Sequence, residues 1–141
     1  METHGAFELS IAISPADIAV QGRVNNVVYL RWAQDAAVAH WRTLASKNEQ
    51  ENVTWVVVRH EIDYKRSARA EDSIIAVTWV GTATNTTFER FTEILRAADR
   101  KVLARARTLW CPLDAKTGRP ARVGQEVRDR FSVAGSNRDN C

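Results

Sequence analysis

One long helical stretch followed by uninterrupted β texture constrains this chain more than anything else in it. From about Val24 to Ala45, the residues Val27, Leu30, Ala37, Trp41 and Leu44 recur at helical spacing. From residue 53 onward the segments TWVVVRHEIDY (54–64), SIIAVTWV (73–80), TTFERFTEIL (86–95) and VLARARTLWC (102–111) are rich in Val, Ile, Thr and aromatic residues. Their separators, RSARAED, GTATN and RAADRK, are short and carry Gly or charged turn residues. Loops of that length join antiparallel neighbours more readily than parallel ones, so the four segments are expected to form a meander.

Ahead of the helix, FELSIAIS (7–14) alternates Phe7, Leu9, Ile11 and Ile13 with polar or small residues, the period of a half-buried strand, until Pro15 ends it. The helix is apolar or small nearly all round, with Val28, Trp32, Ala33, Ala36 and Ala39 added to the first stripe. It is therefore expected to be covered on more than one side, as by a sheet wrapped around it. TGRPARVGQEVRDRF (117–131) reads as a turn and then a short helix, and the last residues should fray. The fold class is α+β: one long central helix, a five-stranded antiparallel sheet and a short C-terminal helix. A single domain over 1–134 and a flexible tail over 135–141 are expected, since 141 residues suffice for one core without metal or disulfide staples.

Several function classes lose support at this level. The net charge of +3 is mildly basic, but the arginines are scattered, without the basic face or module that nucleic-acid binding calls for. The two cysteines, Cys111 and Cys141, have no metal-ligand spacing around them, and Cys111 between Trp110 and Pro112 reads as a small core residue. Neither a secretory leader pattern nor a membrane-length apolar run is present, so a cytoplasmic protein without nucleic-acid or membrane partners is expected.

A family resemblance rests on Asp17 and Gly22, on VNNVVYLRW (24–32), on EIDYKRSARAED (61–72), and on ARTLWCPLDAKTGRPARV (106–123). In these segments the chain resembles the hotdog-fold acyl thioesterases, both the 4-hydroxybenzoyl-CoA thioesterase group and the plant acyl-carrier-protein thioesterases. The resemblance implies a hotdog fold, a homodimer or homotetramer built by pairing sheet edges, and hydrolysis of an acyl thioester at subunit interfaces. Coenzyme A or an acyl carrier protein would enter as part of the substrate, with no separate cofactor and no metal.

The catalytic candidates are Asn25, Asn26 and Asp35. A helix N-terminus presents unpaired amides and the positive end of the macrodipole, which can stabilise the oxyanion of a thioester under attack. By the resemblance, the Asn26 amide holds the carbonyl and Asn25 positions substrate or water. From its residue type alone, Asn25 is equally a helix N-cap. Asp35 matches the position of a catalytic Glu in the plant enzymes and is expected to activate water, its basicity raised by burial beside Trp32. Its plainer reading is a solvated carboxylate or a partner of Arg31. Asp17, Gly22, Arg23, Val28 and Trp32 are the substrate-binding candidates, the last two lining an acyl tunnel; Asp17 is otherwise a turn or cap residue.

Two positions depart from the family pattern. Where D-x-D-x-x-G is usual the chain reads Asp17-Ile18-Ala19-Val20-Gln21-Gly22, so the second acid is Ala19. Arg23 stands where many relatives carry His, which also removes the group a hotdog hydratase would use. The alternative function is accordingly a non-hydrolytic module that binds acyl thioesters. His60 reads as a residue of a sheet surface or dimer face, and His4 and His40 carry no partner pattern. Arg59, Lys65, Arg66 and Arg69 suit either phosphate binding or protection of a strand edge.

Overall fold

A computed structural model describes residues 6–131. The expected domain end at 134 and the tail 135–141 lie outside the described residues. The strands are β1 (Phe7–Ile11), β2 (Val53–Tyr64), β3 (Ile74–Ala83), β4 (Phe88–Arg96) and β5 (Val102–Asp114). They form one antiparallel sheet in the order β1-β3-β4-β5-β2. The helices are α1 (Asn26–Leu44), α2 (Lys47–Asn52) and α3 (Gln125–Phe131).

The meander holds for β3, β4 and β5, but β2 pairs with β5 rather than β3. The reason lies in the connection over residues 65–73, which is tied to the start of α1 instead of turning back on β2. The Tyr29 hydroxyl accepts a hydrogen bond from the Ala68 amide at 2.8 Å, and the Ala68 carbonyl accepts one from the Val24 amide at 2.9 Å. Ala68 itself is fully buried. With its exit strapped over the helix, the chain re-enters the sheet on the far side, and β2 is left as an edge.

Helix α2 was not anticipated, although Ser46-Lys47-Asn48-Glu49 is a capping box: Glu49 donates its amide to Ser46 Oγ at 3.1 Å, and Ser46 donates its amide to Glu49 Oε1 at 2.8 Å. Arg130 of α3 pairs with the same Glu49 at 2.6 Å and ties the two short helices together.

Helix α1 packs against β1, β3, β4 and β5. The face it buries is Val28, Tyr29, Trp32, Ala33, Ala36, Ala37 and His40, not the expected stripe through Val27 and Leu44. Val27 is 66% exposed, and Val38 and Leu44 are also open. The three alanines decide this, because only small side chains let a helix lie close on a sheet while Trp32 and Tyr29 fill the space at its leading end. The expectation that α1 is covered on more than one side is thus corrected within a single chain: one side is covered and the other is bare.

Toward the far end of α1 the core is polar as well as aromatic. Arg90 of β4 is buried, and its Nη1 donates to Thr78 Oγ1 at 3.1 Å and lies 3.0 Å from His40 Nδ1. Burial first, and then the neighbouring Arg90 charge, push the His40 imidazole down to about 4. Being neutral, the ring accepts a hydrogen bond from the arginine at Nδ1.

Two outcomes follow from this packing. Tyr29→Phe leaves the buried Ala68 amide without an acceptor and should lower unfolding free energy by about 1–3 kcal/mol in urea denaturation. For His40, the unfolded chain binds a proton near pH 6.5 and the folded chain only near 4, so its stabilisation is complete above pH 6.5 and lost as pH falls toward 4. Wild type should therefore lose about 2–3 kcal/mol more than His40→Asn between pH 7 and pH 4.5, measured by the same denaturation. His60 is also depressed and acts in the same direction, which is why the difference between the two proteins is the readout.

Candidate active site

The entry to α1 is built by a short knot of backbone. Pro15–Asp17 forms a 3-10 turn capped by Ser14, whose amide donates to Asp17 Oδ2 at 2.9 Å. The other Asp17 oxygen pairs with Arg31 Nη2 at 3.0 Å, and the Asp17 carbonyl accepts from the Asn25 amide at 2.9 Å. A tight turn then runs from Ala19 to Arg23, with Gly22 in the left-handed region at φ +79. Arg23 bridges Arg69 through the main chain and leaves its side chain exposed.

Asp17, expected at the substrate, is turned inward instead: it is 3% exposed, and both its carboxylate oxygens are occupied. Its work is to fix the first turn of α1 against the strand before it. Gly22 and Arg23 remain on the open surface beside that turn.

At the helix start, Asn25 Oδ1 accepts from the Val27 amide at 3.3 Å, so Asn25 is the N-cap. The Asn26 amide has no acceptor among the described residues, as the first position of a helix requires. Asn25, Asn26 and Val27 are exposed, and the leading end of α1 is open rather than plugged. The Asn26 carbonyl accepts from the Tyr64 hydroxyl at 3.2 Å, which ties this end of the helix to β2.

Asp35 lies on the bare side of α1, in a stripe with Val27, Arg31, Gln34 and Val38. Within one chain it is exposed, contrary to the expected burial beside Trp32. Arg31, its simplest partner, is engaged by Asp17, and among the described residues Asp35 has no ion pair. Val28 and Trp32, expected to line the acyl tunnel, belong to the core, Trp32 with no exposed surface at all. The His60 ring spans Thr108 Oγ1 at 2.9 Å and Gln34 Nε2 at 3.2 Å, so it links the β2 edge to the helix turn that carries Asp35.

An open pocket lies farther along α1. Val38 and Trp41 of the helix, Trp55, Phe88, Trp110 and Phe131 line it, with Arg90 in its wall. Sequence reasoning missed this group. The signal was present in TTFERFTEIL, where Arg90 has the same parity as the buried Phe88, Thr92 and Ile94. Of the other basic candidates, Arg59 pairs with Glu61 at 2.6 Å and Arg66 donates to the Val102 carbonyl at 2.9 Å, while Lys65 and Arg69 are exposed. Cys111 is half-buried in β5, opposite Val56. Among the described residues no three His, Cys, Asp or Glu side chains gather as a metal site would, and no helix is long and apolar enough to cross a membrane.

Comparison with known proteins gives a consistent result. Residues 13–131 match the thioesterase-like superfamily. The chain is 24% identical over 135 residues to the chloroplastic acyl-[acyl-carrier-protein] hydrolase FATB3 of Cuphea viscosissima, covering 89% of this chain and 33% of that protein. It thus spans about a third of the length of this curated relative. Among solved structures, the PA5185 protein of Pseudomonas aeruginosa superposes with a TM-score of 0.81 at 20% identity, covering 91% of this chain and 92% of that one. A Thermus thermophilus thioesterase complexed with coenzyme A and Zn gives a TM-score of 0.77 at 20% identity, with 93% and 95% covered. The helix on its five-stranded antiparallel sheet is the hotdog arrangement, and by its match over residues 13–131 the chain belongs to the thioesterase-like superfamily.

Proposed function

We propose that this domain hydrolyses an acyl thioester at a site shared by two copies of the chain. The observation that carries the reading is a pair of open groups on α1: the unpartnered Asn26 amide at its positive end, and the unpaired carboxylate of Asp35. They are nine positions apart in sequence, about 13.5 Å along a helix axis, too far to serve one carbonyl from the same chain. A two-fold pairing of bare helix faces, with the helices antiparallel, brings Asn26 of one copy beside Asp35 of the other. The β2 edge supports such a pairing, since Val56 and Val58 are exposed along it, Val58 at 57%.

The chemistry needs only those groups. The Asn26 amide donates to the thioester carbonyl oxygen, with its direction fixed by the Asn25 cap. Asp35 takes a proton from a water molecule as that water's oxygen bonds to the carbonyl carbon. The tetrahedral oxyanion then collapses, the carbon–sulfur bond breaks, and the leaving thiolate receives the proton held by Asp35. Asn25 acts through the amide beside it, because its side-chain oxygen is already engaged. No separate cofactor or metal is required, and the thiol carrier arrives with the substrate. The Thermus complex with coenzyme A and the Cuphea carrier-protein hydrolase support either carrier. Exposed Lys65 and Arg69 near the crossover are suited to its phosphate.

One backbone substitution tests the amide directly. Pro is favoured at the first helical position, and Asn25 already has the extended conformation, φ −63 and ψ 136, that a residue before proline adopts. Asn26→Pro should therefore keep the fold while lowering kcat by about 10²–10³. Asp35→Asn should lower it by about 10²–10⁴ with melting temperature unchanged. Refolding the two variants together should restore about a quarter of wild-type activity, because half the dimers are mixed and each mixed dimer holds one intact site. No recovery on mixing would overturn the shared site, and sedimentation of the wild type distinguishes dimer from tetramer. Ala19 favours a second reading, a binding module without turnover; acyl-CoA bound but never hydrolysed by wild type would establish that instead.

A further inference from the structure

The cavity at the far end of α1 has a chemistry that neutral acyl chains do not use. Its walls are aromatic, yet Arg90 in the wall is only 5% exposed and has no carboxylate partner among the described residues. A buried cation is costly unless an opposite charge meets it. Burial pushes the guanidinium down to about 10, which still leaves it charged at neutral pH. Its two hydrogen-bond partners, His40 and Thr78, are neutral and both engage Nη1, so the rest of the fork stays available. Two further donors belong to the same walls: the indole N–H groups of Trp55 and Trp110 are buried without a partner. The polar side-chain groups of the lining residues, Arg90 and the tryptophan indoles, are thus all donors, and Arg90 carries a charge.

We propose that the pocket takes the far end of an acyl group that terminates in a carboxylate, paired with Arg90, so that the thioester consumed is an ω-carboxyacyl ester. This rests on the thioester reading above. Position supports it. Val38, at the cavity wall, lies one helical turn beyond Asp35 on the bare side of α1, so the mouth of the cavity adjoins the turn that carries Asp35. The lining residues of α1 lie within about 9 Å of Asp35 along the axis, which suits a short spacer. The aromatic walls require that spacer to be apolar. A guanidinium holding a carboxylate through two parallel hydrogen bonds supplies both the energy and the orientation.

The experiment compares adipoyl-CoA with hexanoyl-CoA, equal in length and differing only in the terminal carboxylate. Wild type should favour adipoyl-CoA by at least about tenfold in kcat/KM, and Arg90→Met should lower that ratio at least about tenfold. Equal or reversed preference in wild type, or a ratio unmoved by Arg90→Met, overturns the proposal. Should Arg90→Met fail to fold, the wild-type preference decides alone. A second measurement separates this inference from hydrolysis itself: hexanoate, but not 1-hexanol, should quench the fluorescence of Trp41, Trp55 and Trp110. If neither ester turns over and hexanoate still quenches, the hydrolytic reading has failed and the anion pocket stands. If esters turn over and hexanoate binds no better than hexanol, the anion pocket has failed and hydrolysis stands.

Discussion

The structure turns on a single packing constraint: one helix must lie flat on one sheet, and only one of its faces is narrow enough to do so. Ala33, Ala36 and Ala37 bring the α1 backbone close to β3, β4 and β5, and Trp32 and Tyr29 fill the wider space near its start. What remains is a bare side with Val27, Arg31, Asp35 and Val38 along it. The hydrolytic reading of this domain depends on that division, because Asn26 and Asp35 lie where the sheet does not cover the helix.

The start of the helix is held with unusual redundancy for an exposed segment. Asp17 grips Arg31 from inside the fold and accepts the Ser14 amide, Asn25 caps the first turn, Tyr29 secures the crossover at Ala68, and Tyr64 reaches the Asn26 carbonyl. These contacts converge on one short stretch of backbone and leave the Asn26 amide as its unmatched donor. A donor fixed before charge develops stabilises a transition state without reorganising, which is the use the proposed hydrolysis makes of this rigidity. The same strap over residues 65–73 also sends β2 to the sheet edge, where Val56 and Val58 are exposed.

The far end of the helix is organised by opposite logic. There a charge is placed inside, against neutral partners and among aromatic walls. His40 contributes by staying uncharged, since a protonated ring beside Arg90 would set two cations against each other. The domain thus has an open carboxylate near the middle of its helix and a buried cation beyond it, in the wall of an aromatic pocket.

The sequence by itself determined the elements and much of their roles: one helix, strands with readable alternation, the cap at Asn25, and the family through VNNVVYLRW and its flanks. These are legible because they depend on periodicity and on contacts a few residues apart. Even missed features had local marks, Ser46 and Glu49 as a capping box and Arg90 by its parity in β4. Tertiary structure alone decided which side of an almost uniformly apolar helix would be buried, and so that Val28 and Trp32 belong to the core and Asp35 to the open side. It also decided that β2 pairs with β5, that Asp17 faces inward to Arg31, and that Arg90 meets His40 across fifty positions of chain. Such outcomes depend on long-range geometry, on which small residues meet which strand, and no local pattern carries that information.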